Sequence, residues 1–240
     1  MKQFTNPKTI VKWAELLQPV AGLMAAILIM VGLYYALINS PADYQQGQAV
    51  RIMYIHVPFA WLATMVYGIM AVVSAVGLIW QHPLAHLACR SAAPLGAVFT
   101  ALCLVTGSIW GQPMWGTWWV WDARLTSVLV LFFIYLGYLS LVRAFDNPLK
   151  GEKLAAILVL VGSVNLPIIK FSVDWWHSLH QPASVMRLGK PTIALPMLIP
   201  LLLMVVGYMS FFVYLWLMNF RAAVMERKNY LKEINRPQME

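Results

Sequence analysis

The chain has 240 residues, of which 61% are hydrophobic and only 11% charged, with a net charge of +8. Soluble domains carry roughly 25% charged residues, and a soluble fold of this length cannot hide so much apolar surface; the composition fits a bilayer as solvent. The basic residues fall in short clusters between apolar runs instead of one stripe, a topology signal that excludes nucleic acid as the partner.

A spanning helix needs about 20 largely apolar residues. Six segments meet or approach this, in chain order Val20–Ile38, Phe59–Trp80, Ala92–Ile109, Leu125–Val142, Leu154–Ile169 and Ile193–Phe220. The first follows Lys2, Lys8 and Lys12 as a secretory signal would, but it is too long for a signal core and no A-x-A pattern follows, so it is expected to be retained. The fifth is short, carries Asn165 and Pro167, and is expected to continue towards Val173. The sixth contains Pro196 and Pro200, which predict a tilt or kink near its outer end.

The expected fold is therefore an all-α integral membrane protein with six transmembrane helices, a single domain over residues 1–240. Lys and Arg set the orientation. One set of loops, with both chain ends, carries 12 basic residues; the opposite set carries 5, namely Arg51, Arg124, Lys170, Arg187 and Lys190. The first set is expected in the cytoplasm together with both termini. Residues 221–240 mix charges at helical spacing and predict a short, solvated cytoplasmic helix. Cys89 and Cys103 form no C-x-x-C pair, and Cys103 lies within an apolar run as a small core residue.

The outward loops, Ser40–Pro58, Gly111–Arg124 and Ser172–Pro191, hold residues that a connector does not need. From Trp110 to Ser127 the chain reads W-G-Q-P-M-W-G-T-W-W-V-W-D-A-R-L-T-S. Tryptophan belts anchor both faces of a membrane, yet here eight of eleven tryptophans lie at the outer end, five of them between Trp110 and Trp121. That density favours a binding platform, at about 111–124, for a flat amphipathic ligand. Asp122 stands where it could cap the fourth helix or act directly on a ligand, and both roles are open. Arg51 and Arg124 oppose the charge bias and have the fork geometry that suits carboxylates.

His56 lies in R-I-M-Y-I-H-V-P at the outer mouth of the second helix, and His177 and His180 in D-W-W-H-S-L-H-Q-P of the last outer loop. One histidine near a helix end is usually no more than hydrogen-bonded. Two histidine-bearing loops flanking a tryptophan-rich one are more specific, because neutral imidazoles ligate haem iron and a porphyrin suits an aromatic floor with cations near its propionates. Chemistry alone does not separate His177 from His180. His82 and His86, on the inner side with Pro83 between them, are expected to be solvated, with no metal site.

The run Trp115-Gly-Thr-Trp-Trp-Val-Trp-Asp-Ala-Arg-Leu-Thr126 resembles the tryptophan-rich signature of the haem-handling protein superfamily of cytochrome c maturation. The segment Pro41-Ala-Asp-Tyr-Gln-Gln-Gly and those around His56 and His180 are most similar to its protein C family, over nearly the whole chain. The resemblance implies that non-covalent, b-type haem is held at the periplasmic face of a bacterial inner membrane and passed to a membrane-anchored haem chaperone. It implies His56 and His180 as axial ligands of the iron, and Trp115, Trp118, Trp119, Trp121 and Asp122 as the haem platform. It implies Arg51 and Arg124 as contacts of haem or chaperone, with no counterpart for His177. It also implies an ATP-binding-cassette complex and a very small membrane subunit as partners; no G-x-x-x-x-G-K-[ST] occurs here, so ATP hydrolysis is expected elsewhere and the chain is not read as an enzyme. The alternatives are a b-type cytochrome subunit, disfavoured because no histidine falls mid-helix, and a haem-conducting channel, disfavoured because the apolar runs hold little polar beyond Asn165.

Overall fold

A computed structural model describes residues 7–234 except 186 and 188; Lys2 and the segment 235–240, used above for charge and for the tail, lie outside the described residues. The helices are α1 (Pro7–Tyr34), α2 (Met53–Ile79), α3 (Pro83–Trp115), α4 (Ala123–Arg143), α5 (Pro148–Gly162), α6 (Asn165–Trp175) and α7 (Leu195–Ile234). With α5 and α6 counted as one pass, six stretches are long and apolar enough to cross a membrane. Among the described residues the only β pairing is a single bridge between Asp43 and Gly47. Helices satisfy their own backbone groups, which hydrocarbon demands. The architecture is the expected all-α bundle of six spans.

Several elements run further than the apolar segments suggested. A π-turn, Tyr35–Asn39, prolongs α1, and a 3₁₀ turn, Gln48–Ile52, leads into α2. His56 is therefore in the first turn of a helix, and α3 carries both Trp110 and Trp115. α7 continues unbroken through Arg221 to Ile234. The fifth span is interrupted at Ser163–Val164. Pro167 explains the place, since it has no N–H to give to the carbonyl four residues back, at Ser163. Leu166 N–H donates there instead, at 3.0 Å.

At the centre, α2 packs against α3, α5 and α7, and α3 also against α4 and α7, while α1 lies along α7. The shared core includes Phe59, Leu62, Val66, Tyr67, Phe99, Cys103, Leu131 and Tyr135. Both cysteines are free and buried there, as small core residues. Polar groups inside the bundle bond across helices: Tyr135 Oη donates to Ala63 O at 2.9 Å, Tyr67 Oη to Val159 O at 3.0 Å, and Asn165 Nδ2 to Ser127 O at 2.8 Å. Apolar side chains along α1, such as Leu16, Val20, Leu23 and Ile27, remain on the outside, as a lipid solvent permits.

Helix alternation puts the connections between α1 and α2, α3 and α4, and α6 and α7 at one end of the bundle, the site end, and the start of α1 and the end of α7 at the other. The opposite end is held by charge. Arg90 bonds Glu226 at 2.8 Å, Arg221 bonds Glu15 at 3.0 Å, and Arg227 bonds the fully buried Glu152. His86 was expected to be solvated; it is buried, at 5% exposure. α3 starts at Pro83, so His86 falls in its first turn, where its ring packs against Gly77 of α2.

The Glu152–Arg227 pair tests this end. Removing one partner of a buried pair leaves a charge with no compensation. Arg227→Leu is expected to destabilise the protein by about 3 kcal/mol or more, and the double variant Glu152→Gln/Arg227→Leu to recover most of that loss, as thermal melts in detergent would measure.

Candidate functional site

The site begins with Asp122. It takes an extended conformation one residue before α4, and its Oδ1 accepts from the Leu125 amide at 2.8 Å, capping the helix. The other oxygen, Oδ2, accepts from Ser178 Oγ at 2.5 Å and from His180 Nδ1 at 2.8 Å. Ser178 Oγ in turn accepts from the His180 amide at 3.1 Å. One carboxylate thus fixes the start of α4 and secures the last loop to it. Of the two roles left open for Asp122, capping is observed directly, and its second oxygen is engaged by Ser178 and His180.

These groups lie outside the spans, and their charge states follow from their surroundings. Burial opposes the Asp122 carboxylate, but the hydrogen bonds from Ser178, Leu125 and His180 outweigh it and hold its pKa below the usual value. Burial also dominates at His180 and prevails over the attraction of Asp122, so the imidazole pKa is lowered. At neutral pH the pair is a carboxylate accepting from a neutral imidazole, not an ion pair. A carboxylate can only accept, so Nδ1 carries the proton and Nε2 is left with a free lone pair.

His56 is arranged in parallel. Its Nδ1 lies 3.1 Å from Thr106 Oγ1. The threonine hydroxyl already gives its proton to Leu102 O, at 2.7 Å, so it accepts from Nδ1–H; the Cys103 carbonyl also acts on the ring as an acceptor, and no hydrogen bond to Nε2 is found among the described residues. The ring rests on Gly107, where an added Cβ would come within 3.0 Å of Cε1. Arg124 lies near enough to act on His56 electrostatically.

The last turns of α3 join the two histidines. Trp110 stands edge-on to His56, with centroids 5.6 Å apart, and Trp115 edge-on to His180 at 4.9 Å. Trp110 Nε1 donates to Gln46 Oε1 at 3.0 Å, holding the first loop, and Trp115 folds back over Gly111. Gly116 then ends α3 with φ +75°, a conformation that favours glycine. Trp119 and Trp121 meet edge-on at 5.5 Å. Trp118 and Trp121 are 62% and 75% exposed, a large apolar area left open to a ligand or the interface. The indole N–H of Trp119 is buried without a hydrogen-bond partner among the described residues.

The structure separates residues that the sequence left equivalent. His180 meets Asp122 and Trp115, whereas His177 is exposed and makes no hydrogen bond with the described residues. Arg124 donates from Nε to Ser172 Oγ at 3.1 Å and lies near Asp122 and Asp174; its terminal nitrogens donate no hydrogen bond to the described residues. Arg51 instead donates to main-chain carbonyls of Leu37 and, at 3.3 Å, Ser40, holding the end of α1. Thr106, Gly107 and Ser178 were missed in the sequence. Thr106 was detectable as a hydroxyl in an apolar run, one turn before Trp110; Ser178 sits between two histidines.

A bundle of six apolar passes with two hydrogen-bonded imidazoles and a tryptophan-rich loop at one end defines a polytopic membrane protein. A family model described as heme exporter protein C matches residues 1–235, and the chain belongs to that family. It is 51% identical to heme exporter protein C of Bradyrhizobium diazoefficiens over 93% of this chain and 84% of that one. It is 49% identical to heme exporter protein C of Haemophilus influenzae over 93% and 91%, and 52% identical to the Escherichia coli K12 protein of that name over 70% and 69%. With these bacterial relatives and its apolar helices, it is a multi-pass protein of the bacterial inner membrane.

The lowered pKa of His180 has a consequence for stability. The unfolded chain takes up the histidine proton first, so the folded state loses stability as pH falls below about 6.5. Asp122, also lowered, adds a loss in the same direction at more acid pH. Melting temperatures in detergent are expected to fall over this range in the wild type, and less steeply in His180→Ala.

Proposed function

We propose that this protein holds haem as cargo, non-covalently and b-type, at the periplasmic face, and delivers it to a membrane-anchored haem chaperone during c-type cytochrome biogenesis. The observation that carries the reading is the matched state of His56 and His180: each has Nδ1 engaged and Nε2 bare beside a tryptophan of the same helix. Two neutral imidazoles with free Nε2 atoms are the donor set that haem iron takes. The relatives named heme exporter protein C support haem as the cargo. The excess of basic residues at the opposite end supports a cytoplasmic placement of both termini, which puts the site in the periplasm.

In this reading His56 and His180 bind the iron and Asp122 holds His180 in its ligating tautomer. Trp115, Trp118, Trp119 and Trp121 provide apolar surface for the macrocycle, and the unpartnered Trp119 N–H offers a donor. Arg124, which acts electrostatically on both histidines, suits a propionate; Arg51 supports the site by fixing the end of α1. The protein orients haem for its recipient and lowers the entropic cost of bringing the two together. An ATP-binding-cassette complex and a very small membrane subunit are the proposed partners, and ATP hydrolysis belongs to the former. Electron transfer across the membrane is less well supported, because both ligands lie at one end of the bundle. A haem channel is also less well supported, because Asn165 is tied to Ser127 O inside it.

Visible spectra of the detergent-purified protein test the assignment. The haem band is expected to weaken in His56→Ala and His180→Ala and to persist in His177→Ala, and Asp122→Ala to weaken haem affinity by about 10- to 100-fold. An unchanged band in all of these variants would remove the ligand assignment.

A further inference from the structure

The two histidines are alike in orientation and unlike in what stands behind them. His180 Nδ1–H donates to the Asp122 carboxylate at 2.8 Å, and Ser178 Oγ reinforces that oxygen at 2.5 Å. His56 Nδ1–H donates to the neutral hydroxyl of Thr106 at 3.1 Å. A carboxylate partner makes an imidazole a more basic, stronger donor through Nε2, and a hydroxyl does so far less. His180 is on a loop, but three hydrogen bonds among Asp122, Ser178 and His180 lock it to the cap of α4. His56, on α2, is held by Thr106 and by the ring's contact with Gly107.

We propose that the site is asymmetric in ligand strength: His180 is the persistent axial ligand of bound haem, and His56 is the one that an incoming donor displaces. The inference rests on the haem-binding reading above. In the exchange the Fe–Nε2 bond to His56 breaks as the lone pair of the incoming donor takes its position, with no change in the oxidation state of iron. Thr106 is then a positioning residue. It keeps His56 in the ligating tautomer without strengthening its bond, so haem is oriented by two ligands and still released from one side.

Carbon monoxide is a suitable probe, because it replaces one axial ligand of reduced haem and the Fe–CO vibration reports the donor strength of the imidazole opposite. The haem-loaded protein in detergent would be compared with Asp122→Asn and Thr106→Val. Asparagine can still cap α4, and valine matches threonine in shape. The expected result is an Fe–CO vibration that shifts in Asp122→Asn and stays at its wild-type position in Thr106→Val. Carbon monoxide uptake should be faster in Thr106→Val and return to the wild-type rate in Thr106→Ser. A vibration that shifts in Thr106→Val and not in Asp122→Asn would overturn the proposal by making His180 the displaced ligand. No shift in either variant, with haem still lost in His56→Ala and His180→Ala, would refute the asymmetry and leave the ligands standing. Haem binding indifferent to both histidines would defeat the underlying reading, and this inference with it.

Discussion

The carboxylate of Asp122 sits where three parts of the chain meet, and each depends on one of its oxygens. Oδ1 closes the first turn of α4, and Oδ2 receives Ser178 and His180 from a loop more than fifty residues later. The hydrogen bond to His180 does more than fasten a loop. It places the proton on Nδ1 and turns Nε2 into a free donor, in a setting where burial already disfavours a charged imidazole. A side chain of helix-capping type thus sets the tautomer of an imidazole.

The rest of the bundle brings the second histidine to the same place. α2 and α3 are packed together through Phe59, Leu62, Val66 and Phe99, and from that rigid pair Thr106, Trp110 and Trp115 rise along the last turns of α3. A close-packed pair of helices does not slide easily, so the spacing of the two imidazoles is set by the core. The charged contacts gather at the other end, where Glu152 is buried against Arg227. Such pairs hold geometry more than they add stability.

Much of this was legible before any coordinates. Apolar length gave the number of passes, since hydrocarbon thickness leaves few other readings. The continuation of the fifth pass beyond Pro167 and the capping position of Asp122 are where they were expected, whereas the break at Ser163–Val164 was not foreseen. Helix ends were less legible. α3 carries Trp110 and Trp115 beyond its apolar run because a helix can extend past the bilayer core, and hydropathy does not register that. His86 was misread because it lies in an inner connection outside the six apolar segments, while its neighbourhood in space is the wall of α2.

By itself the sequence determined a six-pass helical membrane protein with its histidines, tryptophans and arginines concentrated at one end, because periodicity, length and charge bias are local properties of the chain. Only the tertiary structure gave His180 the Asp122 partner that His177 lacks, paired His56 with Thr106, and directed Arg51 to the carbonyls of Leu37 and Ser40. Those outcomes depend on contacts between residues far apart along the chain, and a hydrogen bond's partner is decided by which backbone packing brings within about 3 Å.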